Sequence, residues 1–513
     1  MPKYTRLIAG IFFFFLVILI SMAFNNFREN FLESKFIKVN SDGTLTYFPD
    51  EKGNTIPDFG RVGYYNGDRS IPEPPVVKTI NASTSGSSEE LIQSAIDQIS
   101  KRTPDKNGFR GALLLKKGIY KIPGTIHIKS SGIVLRGEGD SREGTCLIST
   151  ATKQTTLISV EGSGNIKEVN GSRVSITDDY VPVGIRSFSV TSAKGFKAGD
   201  KIIVFRPGTE KWIRDLKMDQ IEERPGTKQW RADEYNFQFE RVITGIEGNK
   251  IFIDNSVVMA MEKQYGGGEI YKYNFEGRIS NTGIEHMYFE SEYQSDTAEN
   301  HGWEAISFDK IENGWIQNVT SRYFGFSCVS LGSGAKNISV LNSNCLDAKS
   351  VITGGRRYSF NNNGQLNLFM NCHSTEARHD FVTGARVCGP NAFVNCTAKN
   401  THADIGPHHR WATGTLFDNI ETDGEINVQD RGNWGSGHGW AGVTQVVWNC
   451  KAKRAAVQDP WVSGKNYCIG LRGEKYEGRL KGRPDGEWEA QNEKGLVPES
   501  LYMAQLKARK GKK

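Results

Sequence analysis

Short apolar runs that end in asparagine recur along the second half of the chain. They read Trp315-Ile316-Gln317-Asn318-Val319, Val340-Leu341-Asn342-Ser343-Asn344-Cys345 and Leu368-Phe369-Met370-Asn371-Cys372, then Ala392-Phe393-Val394-Asn395-Cys396, Leu416-Phe417-Asp418-Asn419-Ile420 and Val446-Val447-Trp448-Asn449-Cys450. Asparagines 318, 344, 371, 395, 419 and 449 are separated by 26, 27, 24, 24 and 30 residues. Each interval accommodates about three short strands and their turns, at roughly 3.3 Å per residue. Stacking the intervals at about 4.8 Å pairs each strand with its equivalent one coil away and satisfies the backbone of a parallel sheet. The pattern predicts consecutive coils over residues 283–470, with the asparagines forming a ladder. The residue after each asparagine points the other way, so Cys345, Cys372, Cys396 and Cys450 are expected in one stack interrupted by Ile420. Equivalent positions in stacked strands point in parallel, which makes these cysteines buried fillers rather than disulfides.

Upstream the period changes. Ser88 to Ile99 carries apolar residues at 91, 92, 95, 96 and 99, which predicts a helix capping the open end of the solenoid. Strands are expected at 112–116, 125–128 and 132–135. The coil rhythm is lost over 165–273, where 196–204 and 250–254 read as strands of a small β-rich insertion. Residues 24–75 are expected to be a lead-in, 76–164 the first coils with the cap, 274–475 the main coils and 476–513 a C-terminal tail. The 56 glycines among 513 residues, with 37% hydrophobic residues, fit an all-β chain rich in turns.

Lys3 and Arg6 precede an apolar stretch from Leu7 to Ile20, and Ser21-Met22-Ala23 follows with small residues where a signal peptidase cuts. The chain is therefore expected to be exported, secreted or periplasmic, with membrane anchoring only if this segment is retained. Without residues 1–23, 62 basic residues face 58 acidic ones, a formal +4 that is too balanced for a nucleic-acid binder. A monomer is expected.

The capping helix, Gly118-Ile119-Tyr120-Lys121-Ile122 and Ser131-Gly132-Ile133-Val134-Leu135-Arg136-Gly137-Glu138-Gly139 together resemble the opening of the pectate-lyase-like β-helix superfamily, over about residues 75–475 apart from the insertion. The resemblance implies an all-β, right-handed parallel β-helix acting on a polysaccharide. It does not choose the reaction, because the superfamily spans lyases, hydrolases, esterases, epimerases and phage tailspikes.

Six of the nine histidines fall between 373 and 438. Arg378-His379-Asp380, Asp404 to Trp411, Asp430 to Trp434 and Gly437-His438-Gly439-Trp440 recur at similar phase in three coils, so stacking brings them to one face. The candidate catalytic residues are His379, His408, His409 and Arg410. Adjacent imidazoles and guanidinium groups repel when charged and are costly to assemble without a ligand. Arg378, Asp380, Arg431 and His438 are candidate substrate contacts, and Trp411, Trp434 and Trp440 offer faces for sugar rings or core packing. His373 reads as a wall residue and His402 as a turn residue.

No cofactor is required by this pattern. Calcium or another divalent metal stays open, with Asp380, Asp404 or Asp430 beside the imidazoles, but no short ligand spacing is present. Gly437-His438-Gly439 matches one segment of polygalacturonase-like hydrolases, whose Asn-Thr-Asp and paired-Asp segments are missing, and Asp380-Phe381-Val382-Thr383-Gly384 echoes an esterase segment. Asp380 and Asp430 are the acid and base that a hydrolase would use. A lyase cleaving a uronic-acid-containing polysaccharide by β-elimination is the expected function. A hydrolase, an esterase or a non-catalytic carbohydrate-binding β-helix are the alternatives.

Overall fold

Strands of successive coils pair in parallel and in register, so the chain is an all-β parallel β-helix. The computed structural model describes residues 32–82 and 87–511. One wall is built from Ala335–Leu341, Leu368–Met370, Asn391–Val394, Thr415–Asp418 and Val446–Trp448. A second holds Asn344–Leu346, His373–Thr375, Thr397–Lys399 and Glu421–Thr422. The third holds Gly302–Asp309, Ser327–Leu331, Tyr358–Asn362, His379–Thr383, Asp404–Pro407 and Glu425–Val428. Register stacks like on like inside the coils. Phe369, Phe393 and Phe417 lie ring over ring at 4.7 and 5.4 Å, close to the strand spacing of about 4.8 Å.

The asparagine ladder exists with one member exchanged. Asn318, Asn342, Asn371, Asn395, Asn419 and Asn449 all adopt left-handed φ between 48° and 56° at the turn from the first wall to the second. Their amides link coil to coil, with Asn342 donating to Asn318 at 3.3 Å, Asn371 to Asn342 at 3.0 Å, Asn419 to Asn395 at 3.2 Å and Asn449 to Asn419 at 2.8 Å. Asn344, the expected member, lies two residues later on the next strand and donates to Thr320. Conformation decides between them. Asparagine is among the few side chains that tolerate the left-handed region, so the residue at the turn is the one that repeats. The same shift removes Cys345 from the cysteine stack: it pairs with Ser321 and Ser374, whereas Cys372, Cys396, Ile420 and Cys450 follow the ladder. All eight cysteines are free, and seven are buried.

The helix Glu89–Ser100 turns Ile92, Ala95, Ile96 and Ile99 into the main core, but Leu91 lies outside that face at 45% exposure. The segment from Lys167 to Asn274 forms an antiparallel sheet in which Lys201–Arg206 lies between Phe237–Glu247 and Glu269–Asn274. Its Trp212, Trp230, Tyr235 and Phe237 are buried. They share one core with Trp411, Trp440 and Val443 of the coils.

The outer face of the first wall is apolar too, at Leu368, Val394, Leu416, Val446 and Trp448, and strands buried on both faces need a cover. The lead-in supplies Ile37, Ile56, Phe59 and Val62, and the C-terminal segment supplies Leu501 and Tyr502. That segment is helical over Leu501–Lys510, and its Arg509 is paired with Asp68 at 2.6 Å. The expectation of a plain tail is corrected accordingly. The predicted export segment, residues 1–23, lies outside the described residues. No helix among the described residues is long and apolar enough to cross a membrane.

Candidate active site

A cleft of 1120 Å³ opens on the third wall. Tyr358 and His379 pair directly in register, and so do Asp404 and Glu425, so side chains far apart in sequence line one channel. The His408-His409 turn and the 434–438 loop close one side of it. A contact chain runs through the imidazoles. Ring centroids are 4.5 Å apart for His379 and His408, 5.1 Å for His408 and His409, 5.0 Å for His408 and His438, and 4.8 Å for His409 and His438.

Hydrogen bonds fix this arrangement. His379 Nδ1 lies 2.8 Å from the Asp404 carbonyl oxygen and 2.9 Å from Asp404 Oδ1, both acceptors, so this nitrogen carries the proton and Nε2 is left unprotonated. Asp404 also accepts from Arg431 and, at 3.0 Å, from Asn427. Burial alone would raise the Asp404 carboxyl, but Arg431 and His379 outweigh it and hold it well below the usual carboxylate range. Tyr358 Oη lies 3.1 Å from His408 Nε2.

The surroundings favour the neutral form of all four imidazoles. Burial lowers His379 and His408, and for His408 the neighbouring His379 and Arg431 lower it further. Burial followed by Arg410 and Arg431 pushes His409 down to about 4, and burial followed by His409 and Arg431 pushes His438 down to about 3. Among the described residues, His379 Nε2 and Nδ1 of His408, His409 and His438 are buried without a hydrogen-bond partner. His409 and His438 are half-buried, whereas His379 and His408 are buried. Gly435 makes room for this packing, since a Cβ there would sit 2.0 Å from the His438 ring.

The cleft is lined by five cationic side chains, Arg378, Arg431, Lys453, Arg454 and Arg479, against Asp404, Asp423 and Glu425. All three carboxylates are engaged: Asp404 as above, Glu425 by Arg454, and Asp423 by the backbone of Asn400 and Thr401. Arg378 and Arg479 make no ion pair among the described residues. Arg378 donates to the Gly354 carbonyl, and Arg479 lies over Trp434 with its guanidinium 4.5 Å from the ring centroid. Among the described residues no group of three or more His, Cys, Asp or Glu side chains is arranged to hold a metal ion.

The structure thus brings together His379, His408, His409, His438, Arg378, Arg431 and the exposed Trp434. Four expected residues are corrected. Arg410 points away from the cleft, donating to the Ser436 carbonyl at 2.8 Å and lying 3.7 Å from Glu234 of the insertion. Trp411 and Trp440 are fully buried under the insertion, Trp411 against Trp212 at 5.0 Å and Trp440 donating to the Leu216 carbonyl. Asp380 is buried inside the coil, where burial pushes it up to about 6. Asp430, its proposed hydrolase partner, is buried and paired with Arg483 at 2.8 Å. His402 sits at the cleft edge on Glu376, and His373 is held by Thr397.

Sequence reasoning missed Tyr358, Asn427 and Arg479, and it saw Asp404 only as a metal ligand. The available signal was register. Once the coils are aligned, Tyr358 falls beside His379.

No family model matches the chain, and no curated protein matches it. Among solved structures the chain is similar to ORF18 of Geobacillus virus E2, at 13% identity, with 81% of this chain and 59% of that chain covered and a TM-score of 0.39. It is also similar to an alginate lyase from Paenibacillus sp. str. FPU-7, at 9% identity, 82% and 99% coverage and a TM-score of 0.38. A third is pectate lyase Pel9A, at 13% identity, 82% and 80% coverage and a TM-score of 0.32. The chain spans about three fifths of the Geobacillus virus protein.

Proposed function

We propose that this cleft cleaves a uronic-acid-containing polysaccharide by β-elimination. The observation that carries the reading is the pairing of Arg378 and Arg479, cations without ion-pair partners among the described residues, with four neutral imidazoles and a tyrosine in one channel. In the reaction the C5–H bond breaks and its electron pair forms the C4–C5 double bond. The C4–O glycosidic bond breaks with it, and the departing oxygen takes a proton. The C5 proton is weakly acidic, so negative charge developing at the carboxylate must be stabilised first. Arg378 is suited to this, because its planar fork holds a carboxylate by two bonds and stays protonated.

His409 is assigned the base. It is neutral and half-buried, whereas His408 is buried, and an entering carboxylate strengthens it by favouring the imidazolium. Tyr358 keeps its phenolic proton, because burial raises its pKa, and is assigned to protonate the leaving oxygen, with His408 3.1 Å behind it. His379, locked by Asp404, positions His408. Hydrolysis is less well supported, since it needs a free carboxylate pair, while Asp380 and Asp430 lie outside the cleft and the cleft carboxylates are all bonded.

The test is turnover by His409→Ala and Tyr358→Phe variants on an acidic polysaccharide that the wild type cleaves. Each is expected to lose at least about 10²-fold in kcat while keeping the wild-type melting temperature. Near-wild-type turnover in both would remove them from the mechanism. We also propose that the chain is exported, as Lys3, Arg6 and the apolar run to Ile20 suggest. The native protein should then begin near Phe24 on N-terminal sequencing, and an intact Met1 would contradict cleavage.

A further inference from the structure

We infer that the polysaccharide runs out of the cleft along a track of aromatic side chains, one per coil, in which Tyr358, Phe326 and Trp303 form consecutive sugar-binding subsites. The inference rests on the reading of the cleft as an acidic-polysaccharide site and extends it toward the N-terminal coils. Tyr358 belongs to both, since it lines the cleft and touches His379 and His408. The Phe326 ring lies 5.3 Å from Tyr358 at 31°, and the Trp303 ring lies 6.2 Å from Phe326, parallel within 9°. The register of Glu304 with Ser327 sets Trp303 beside Phe326, whereas that of Val329 with Phe360 sets Tyr358 opposite Ser327, so the Tyr358 ring reaches Phe326 across an offset of one residue at the start of the strand.

Coil stacking sets their spacing. Coils repeat at about 4.8 Å and the ring centroids follow one another at 5.3 and 6.2 Å, the same order of length that one pyranose unit adds to a polysaccharide, so one ring per coil offers one sugar per subsite. The three aromatics are half-buried and belong to no core cluster among the described residues, which places them on the wall's surface. Phe326 has no polar group to satisfy and packs between Trp303 and Tyr358, so what its half-buried ring leaves for a ligand is apolar surface, which suits the C–H side of a sugar ring.

The track is built rather than incidental. A Cβ at Gly325 would sit 2.5 Å from the Trp303 ring, so only glycine lets the indole lie down against the backbone there. The Phe326 amide donates to the Trp303 carbonyl at 2.8 Å, which holds the two residues side by side. Glu299 and Arg356 form a two-bonded pair at 2.6 and 2.9 Å, tying the segment before Trp303 to the segment before Tyr358.

The experiment compares the full-length wild type, Trp303→Ala, Trp303→Phe and Phe326→Ala on uronate oligosaccharides of increasing length and on the polymer, with melting temperatures as the check on folding. The alanine variants should raise KM on long chains roughly 3- to 10-fold and leave kcat/KM on the shortest cleavable oligosaccharide unchanged. Trp303→Phe should restore most of the loss while weakening the fluorescence change that long chains produce. Equal effects at every length, or none at any, would overturn the track while wild-type cleavage left the reading of the cleft standing. If the wild type neither cleaves the polymer nor is retarded by it in affinity electrophoresis, the reading of the cleft fails, and the track with it.

Discussion

Four imidazoles held neutral within 5.1 Å of their nearest ring neighbours make the cleft sensitive to acid. His409 and His438 titrate near 6.5 when unfolded and at about 4 and about 3 when folded. A depressed folded pKa contributes stability that is present above 6.5 and lost as pH falls through 4 and 3. Asp380, pushed up to about 6, and Asp418 and Asp459, pushed up to about 7, work in the opposite sense, since their stability is full below the ordinary Asp pKa and lost as pH rises through those values. A difference between variants separates the two. A His409→Gln/His438→Gln double variant should lose less melting temperature than the wild type between pH 7 and pH 4, and parallel losses would contradict the assignment. The histidines were legible in the sequence because six of nine crowd into three coils. Tyr358 was not, because nothing in Arg356-Arg357-Tyr358 marks it until coil register sets it beside His379. Arg410 and Trp411 misled because both adopt left-handed φ, at 54° and 65°, so the turn that presents His408 and His409 sends the next two side chains toward the insertion.

At the scale of the element, the turn between the first two walls is the repeated unit, and asparagine serves it twice, by tolerating positive φ and by bonding along the stack. Asn395→Ala should therefore lower stability by about 1–3 kcal/mol, while Asn395→Gly, which keeps the backbone freedom and loses only the hydrogen bond accepted from Asn419, should cost less. Denaturation of the two variants beside the wild type measures this, and equal losses would mean that the conformation contributes nothing. Spacing alone placed the coils and their approximate length. It chose Asn344 over Asn342 because both fit a period of 24 to 30 residues, and only backbone conformation tells them apart. The insertion was legible as a break in rhythm. Its role was not, because the contact of Trp212 and Trp230 with Trp411 spans about 200 residues of sequence.

Over the whole molecule, one wall is covered by the lead-in and the C-terminal helix, and a facing element of the insertion braces the loop that carries His438 through Lys228 and Arg224. The third wall keeps its cleft open, and that cleft combines excess positive charge with groups able to take and give a proton. The most direct measurement is ultraviolet absorbance recorded while the purified chain is incubated with uronate-containing and neutral polysaccharides, with reducing ends assayed in parallel. Elimination predicts that new reducing ends from a uronate polymer appear together with the absorbance band of an unsaturated uronate. Reducing ends without that band, or cleavage of neutral polymers alone, would contradict it.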